Sequence, residues 1–213
     1  EWRMLGELYS SVGAPASAMR RVWDNAAETA RSLPKDRRAK ALSAGGSAAV
    51  GLLTAPSPDS TAVRELEALL AQPPLKEVRA LLALQRNDPE AARRALEEAE
   101  PPSTEMARKA GYLVFRRPLA AQAWYLLGEY DRALSVLDGF DPVHFNTATY
   151  DMRWGMVGRV RLLRGAVLEK LGRDDDARTE YRLALEQWEQ ADPELREFVE
   201  EAAKGLARVE GRG

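Results

Sequence analysis

Residues 1–18 read EWRMLGELYSSVGAPASA. Trp2, Leu5, Tyr9 and Val12 recur at helical spacing and form one apolar stripe. Gly6 lies among them, where a side chain would hold a second helix away. Gly13 suits a helix C-terminal stop because glycine takes positive φ without penalty. Pro15 suits the first turn of the helix that follows. That helix carries Met19, Val22, Trp23, Ala26, Ala30 and Leu33 as a second stripe and ends before Pro34. The stretch is therefore a helical hairpin with a small-residue contact, and the same pattern recurs downstream.

The segment Leu126 to Asp138 reads LLGEYDRALSVLD, with Gly128 at the turn and Ala133 as the small residue where paired helices touch. The segment Leu171 to Glu186 reads LGRDDDARTEYRLALE, with Gly172, Ala177, Tyr181 and Ala184 in the corresponding places, and Gly165 falls where Gly6 did. A weaker copy runs from Leu75 to Glu98, with Ala80, Ala92 and Leu96, and with Asn87 in place of the turn glycine. The spacing W-x2-L-G-x2-Y followed by Gly13 and Ala18 resembles the tetratricopeptide repeat (TPR) family. The key alanines 18, 92, 133 and 177 lie further apart than the family's usual period of about 34 residues, so the repeats are irregular. The expected fold is all-α, a helical-hairpin repeat solenoid of TPR-like right-handed superhelical type. It has roughly eleven to thirteen helices and no sheet.

The expected organisation is N-terminal TPR-like helix pairs over 1–72, central repeats over 73–140, an aromatic linker over 141–153, and a C-terminal repeat with a capping helix over 154–213. Asp88-Pro89-Glu90 and Asp192-Pro193-Glu194 read as helix starts, with an N-cap Asp, a proline and then an acid at the positive helix end. Asp141-Pro142 reads as another. Asp174, Asp175 and Asp176 read as a dipole-complementing first turn rather than a metal ligand set. The last helix places Leu195, Phe198, Val199, Ala202, Leu206 and Val209 on one face, and Gly211-Arg212-Gly213 reads as a frayed tail. Pro118 is expected to kink or break the helix beginning near Ser103. Gly45 and Gly46 weaken a helix yet allow close packing. The linker FDPVHFNTATYDMRW, 140–154, either plugs a junction between repeats or grips a ligand. Arg164 stands where the family carries leucine, and its expected partner is Asp141 or Asp151.

Composition bounds the function. The formal charge of −2 lacks the basic footprint of a general nucleic-acid binder. No apolar run reaches the roughly 18 residues of a membrane span. Zero cysteines leave no thiolate chemistry and do not choose between cytoplasm and periplasm. His144, the one histidine, lacks partners for the usual histidine metal sites or proton shuttles. No nucleotide-binding motif is present, so neither catalysis nor a cofactor is expected. The first consensus position would lie before Glu1, and the chain is read as a piece of a longer protein.

What the family resemblance implies is protein or peptide binding along the face made by each repeat's first helix. Carried over, that face comprises Arg3, Glu7 and Ser10; Glu77, Leu81 and Gln85; Gln122 and Tyr125; and Arg159, Leu162 and Ala166. The lysine and asparagine set that clamps acidic C-terminal tails in some members is absent. The stretch WGMVGRVRLLRGAVLEKLGR is also similar to C-terminal repeat regions of bacterial Ser/Thr protein kinases. The expected roles are thus a non-catalytic interaction scaffold within a larger bacterial protein, a docking region of a kinase or other enzyme, or a structural subunit of an assembly.

Overall fold

The computed structural model describes residues 16–55, 58–70, 76–99, 111–138, 152–191 and 193–212. Among them are ten α-helices, one short 3-10 turn and no strand. The opening stretch 1–15 and the aromatic linker up to residue 151, with His144, lie outside the described residues, as do Asp141, Asp151 and Asp192; the last residues assigned to the linker, Met152, Arg153 and Trp154, belong to a helix instead. The chain divides into two units, Glu1–Leu75 and Lys76–Gly213.

In the first unit α1 (Ala16–Ser32), α2 (Lys35–Leu53) and α3 (Thr61–Leu70) all pack on one another. Of the stripe read from the sequence, Met19, Val22, Trp23, Ala26 and Ala30 lie on the buried face of α1, which also holds Ala18 and Ala27, while Leu33 is half-buried just past the helix end. Gly45 of α2 faces it so closely that a Cβ there would lie 2.5 Å from Cβ of Ala26. Gly46 has ordinary space around it, so only the first of the two glycines serves close packing. The entry to α3 is tied by Asp59, whose carboxylate accepts the Thr61 N–H at 2.8 Å and pairs with Arg20. Burial raises the pKa of Asp59, but the Thr61 hydrogen bonds and the Arg20 charge outweigh it and hold the carboxyl below its ordinary value. Trp23, fully buried, keeps its indole N–H satisfied on Glu65 at 3.1 Å.

The second unit consists of α4 (Lys76–Gln85), α5 (Pro89–Glu97), α6 (Gly111–Leu126), α7 (Tyr130–Asp138), α8 (Met152–Lys170), α9 (Asp174–Gln187) and α10 (Arg196–Glu210). Helices α4–α5, α6–α7 and α8–α9 pair as hairpins. Each first helix also packs on the next first helix: α4 on α6, α6 on α8, and α8 on α10. Each second helix packs on the first helix that follows it.

The three hairpin turns are built alike. Asn87, Gly128 and Gly172 have φ of 56°, 78° and 71°. In each turn the next residue's N–H reaches back five residues: Asp88 to the Ala83 carbonyl, Glu129 to Trp124, and Arg173 to Leu168, at 3.0, 3.0 and 2.9 Å. This is the Schellman helix stop, which satisfies carbonyls left over at the helix end. Five residues after each turn residue stand Ala92, Ala133 and Ala177, all fully buried. Seven residues before it stand Ala80, Ala121 and Gly165, where paired helices approach. Asn87 thus does the work of the turn glycine, as asparagine tolerates the left-handed region better than most residues.

One expectation about helix ends needs correction and another is refined. Helix α6 runs continuously through Pro118 instead of breaking near Arg117. The proline lacks the N–H for one helix bond, and packing of α6 on α4, α7 and α8 holds the helix together despite that loss. The final helix begins with a 3-10 turn, Pro193–Leu195, before α10 proper. Asp88 behaves as read: it caps α5, its side chain accepting the Ala91 N–H at 2.9 Å with Pro89 following.

A Cβ at Gly172 would meet nothing within 4 Å, so any penalty for replacing it comes from the backbone alone. Gly172→Ala is expected to lower stability by about 1–2 kcal/mol, the cost of a left-handed L-residue, measured by urea denaturation. Asn87→Gly should change stability by less than about 1 kcal/mol.

Candidate functional site

The face made by α6, α8 and α10 carries most of the described residues that the resemblance singled out. Arg3, Glu7 and Ser10 lie outside the described residues. On α4, Glu77 and Leu81 are buried and only Gln85 is exposed. On α6, Gln122 and Tyr125 are half-buried; on α8, Arg159 and Ala166 are half-buried, while Leu162 is buried in the C-terminal core. Glu77, Leu81 and Leu162 therefore lie beneath the surface, covered by neighbouring helices. Gln122, Tyr125, Arg159 and Ala166 remain partly accessible.

The packing that sets this face centres on Tyr181 of α9. Its ring is 1% exposed. It lies between two glycines of different helices. A Cβ on Gly165 of α8 would fall 2.8 Å from the ring, and one on Gly205 of α10 would fall 2.4 Å from it. Both glycines are thus needed for the ring to fit. The Tyr181 hydroxyl donates to Glu169 of α8 at 2.8 Å. The same carboxylate accepts two hydrogen bonds from Arg208 of α10, at 2.9 and 3.0 Å, and one from Arg212 at 3.0 Å. Arg212 also pairs with Asp174 at 3.3 Å, so the expected frayed tail is tied at Arg212 to both α8 and α9.

The Glu169 side chain is only 7% exposed, and it is compensated on every side. The Arg208 hydrogen bonds chiefly hold its pKa below the ordinary value, with help from Tyr181 and Arg212 and against the upward push of burial. Burial, then Glu169, pushes the Tyr181 phenol upward, so it remains a proton donor. A bidentate arginine–carboxylate pair of this kind fixes geometry as well as charge.

Arg164 finds partners other than those expected. Its guanidinium donates to the Leu137 carbonyl at 2.5 Å and lies 3.7 Å from Asp138 and 3.5 Å from Glu180. It sits at the C-terminal end of α7, where a cation complements the helix dipole. Arg161 reaches the same Glu180 at 3.4 Å. Arg159 lies over the Phe198 ring of α10, 5.1 Å from its centroid, within range of a cation–π contact. Burial lowers its pKa to about 10, which leaves it cationic at neutral pH. Phe198 in turn packs on Trp188, their centroids 6.0 Å apart.

At the other edge of the face, Tyr125 of α6 packs against Tyr130 of α7 with centroids 5.7 Å apart. Burial raises the Tyr125 pKa, and the charges near it, Glu169 and Glu201 among them, raise it further while Arg208 opposes them. Neither the Tyr125 hydroxyl nor the Gln122 amide makes a hydrogen bond to another described residue. The two are three residues apart and share one face of α6.

Among the described residues no group of histidines, cysteines and acids has metal-binding geometry. No described helix is long and apolar enough to cross a membrane. Asp174, Asp175 and Asp176 form the first turn of α9, with Asp175 paired to Arg178 and Asp176 to Arg173. Comparison of the chain with protein-family models, curated proteins and solved structures finds no match.

The linkage at Glu169 gives a signed expectation. Because its folded pKa is lowered, its stabilisation is complete above the ordinary glutamate pKa of about 4.3. It is lost as pH falls through the folded value. Glu169→Gln should cost about 1–3 kcal/mol near neutrality, the range for hydrogen bonds to charged groups. The difference from wild type should shrink below about pH 4, read by urea denaturation across pH.

Proposed function

We propose that the chain is a non-catalytic interaction module. In this reading Lys76–Gly213 is a TPR-like array of helical hairpins, and the α6–α8–α10 face binds an extended protein segment. The repeated turn geometry, the small residues at fixed offsets from each turn and the first-helix-on-first-helix packing support the array.

One observation carries the binding assignment. The Gln122 amide and the Tyr125 hydroxyl stand half-buried one helical turn apart and make no hydrogen bond to another described residue. An amide offers two donors and an acceptor, the set that matches a peptide backbone. Half-buried polar groups gain more from such a partner than fully solvated ones do. Arg159 adds a cation on the same face, and tyrosine and arginine are enriched among residues that dominate binding energy.

The test is a random-peptide display selection on the chain, repeated on a Tyr125→Ala, Arg159→Glu double variant shown to melt like wild type. Peptides that bind wild type and lose at least tenfold in affinity for the variant are the expected outcome. Failure to enrich any peptide, or equal binding to both proteins, would overturn the proposal.

A further inference from the structure

Helix α10 is held on α8 and α9 by different forces at its two ends. Apolar packing holds the first half. Phe198 and Ala202 are buried, and Leu195 and Val199 pack against the same core. Phe198 lies against Trp188. Trp188 is itself seated so closely on Gly158 of α8 that a Cβ there would fall 2.6 Å from the indole. From Gly205 onward the pattern changes. Gly205 has no side chain to bury, Leu206 is half-buried, and Val209 is the one fully buried side chain among residues 205–212. Glycine inside a helix also weakens it locally.

Charge holds the second half. Arg208 donates to Glu169 at 2.9 and 3.0 Å. Arg212 bridges Glu169 at 3.0 Å and Asp174 at 3.3 Å, so it spans the two sides of the Gly172 turn. Two cations of α9 reach the opposite way. Arg182 pairs with Glu210 at 2.6 Å, and Arg178 donates to the Val209 carbonyl at 3.5 Å. That carbonyl is among the acceptors left over at a helix C-terminus.

From this division we infer that residues 205–212 form a strap, which opens from α8 and α9 as a unit at Gly205 while the first half of α10 stays packed. Segments with few buried apolar contacts open at lower free energy than the core beside them. The strap meets that condition, and the half that carries Phe198 and Ala202 does not. Opening lifts Gly205 from the Tyr181 ring and both arginines from Glu169, so the ring and the carboxylate are uncovered together. The motion is independent of what the α6–α8–α10 face binds.

The experiment is native-state hydrogen exchange of the whole chain, followed amide by amide by NMR. Wild type is compared with Glu169→Gln and with Phe198→Leu. Glutamine keeps an acceptor for the Tyr181 hydroxyl but removes the charge that fastens Arg208 and Arg212. In wild type the amides of residues 206–210 are expected to exchange at least tenfold faster than that of Ala202. Glu169→Gln is expected to speed residues 206–210 at least tenfold further, because opening already breaks those bonds. Phe198→Leu is expected to speed Ala202 at least threefold and residues 206–210 less than twofold, because its contacts survive the opening. Uniform protection along α10 would overturn the strap. Residues 206–210 that exchange fast in wild type but do not respond to Glu169→Gln would show ordinary end fraying and overturn it too. So would a Phe198→Leu variant that speeds both groups alike.

Discussion

The C-terminal half of the second unit depends on one aromatic ring held between two glycines. Tyr181 belongs to α9, Gly165 to α8 and Gly205 to α10, and the ring fits because neither glycine has a Cβ. Glycine is a poor helix former, costing roughly 1 kcal/mol relative to alanine. Two of them in two helices are therefore a local expense that tertiary packing offsets. Around the ring lie Leu162, Leu168, Ala177, Ala184, Trp188, Phe198, Ala202 and Val209, one continuous core across three helices. The hydroxyl at the ring's end then fixes Glu169, and Glu169 fixes Arg208 and Arg212. Apolar packing and the ion pairs made by the buried Glu169 thus select the same arrangement, so the position of α10 is doubly specified.

The consequence for function is geometric. With α10 held against α8 and α9, Phe198 lies under Arg159. Residues far apart in sequence on α8 and α10 are thereby brought into contact. The engaged pairs, Glu169 with its arginines and Glu180 with Arg161 and Arg164, belong to the scaffold.

The parts legible in the sequence were those that act through local spacing. The turn positions 87, 128 and 172, the alanines five residues beyond them and the stripe on α1 follow from helical period and turn chemistry. The all-helical class follows from the same signals. Pro118 does not break α6, because propensity is a local statement and packing on neighbouring helices outweighs the lost hydrogen bond. A family pattern assigns Leu81 and Leu162 to a surface by position alone, whereas both side chains are buried in this chain. The role of Glu169 is not legible in the sequence, because its partners lie 12, 39 and 43 residues away and no periodicity links them. Gly205 in isolation resembles a flaw in a capping helix, and only the ring against it gives it a role. Arg164 was marked as unusual in sequence, yet its contacts with Leu137, Asp138 and Glu180 are set by how α7, α8 and α9 meet.

The most direct measurement of the central claim is a double-mutant cycle between Gly205→Ala and Tyr181→Leu, by chemical denaturation. With Tyr181 present, the added methyl meets the ring at 2.4 Å and should destabilise by about 1–3 kcal/mol. With leucine at 181 the collision is relieved, and the better helix propensity of alanine should make the same change neutral or stabilising by up to about 1 kcal/mol. That reversal is what a ring held between two glycines requires. An equal cost of Gly205→Ala in both backgrounds would contradict it, and with it the account of how α10 is held on α8 and α9.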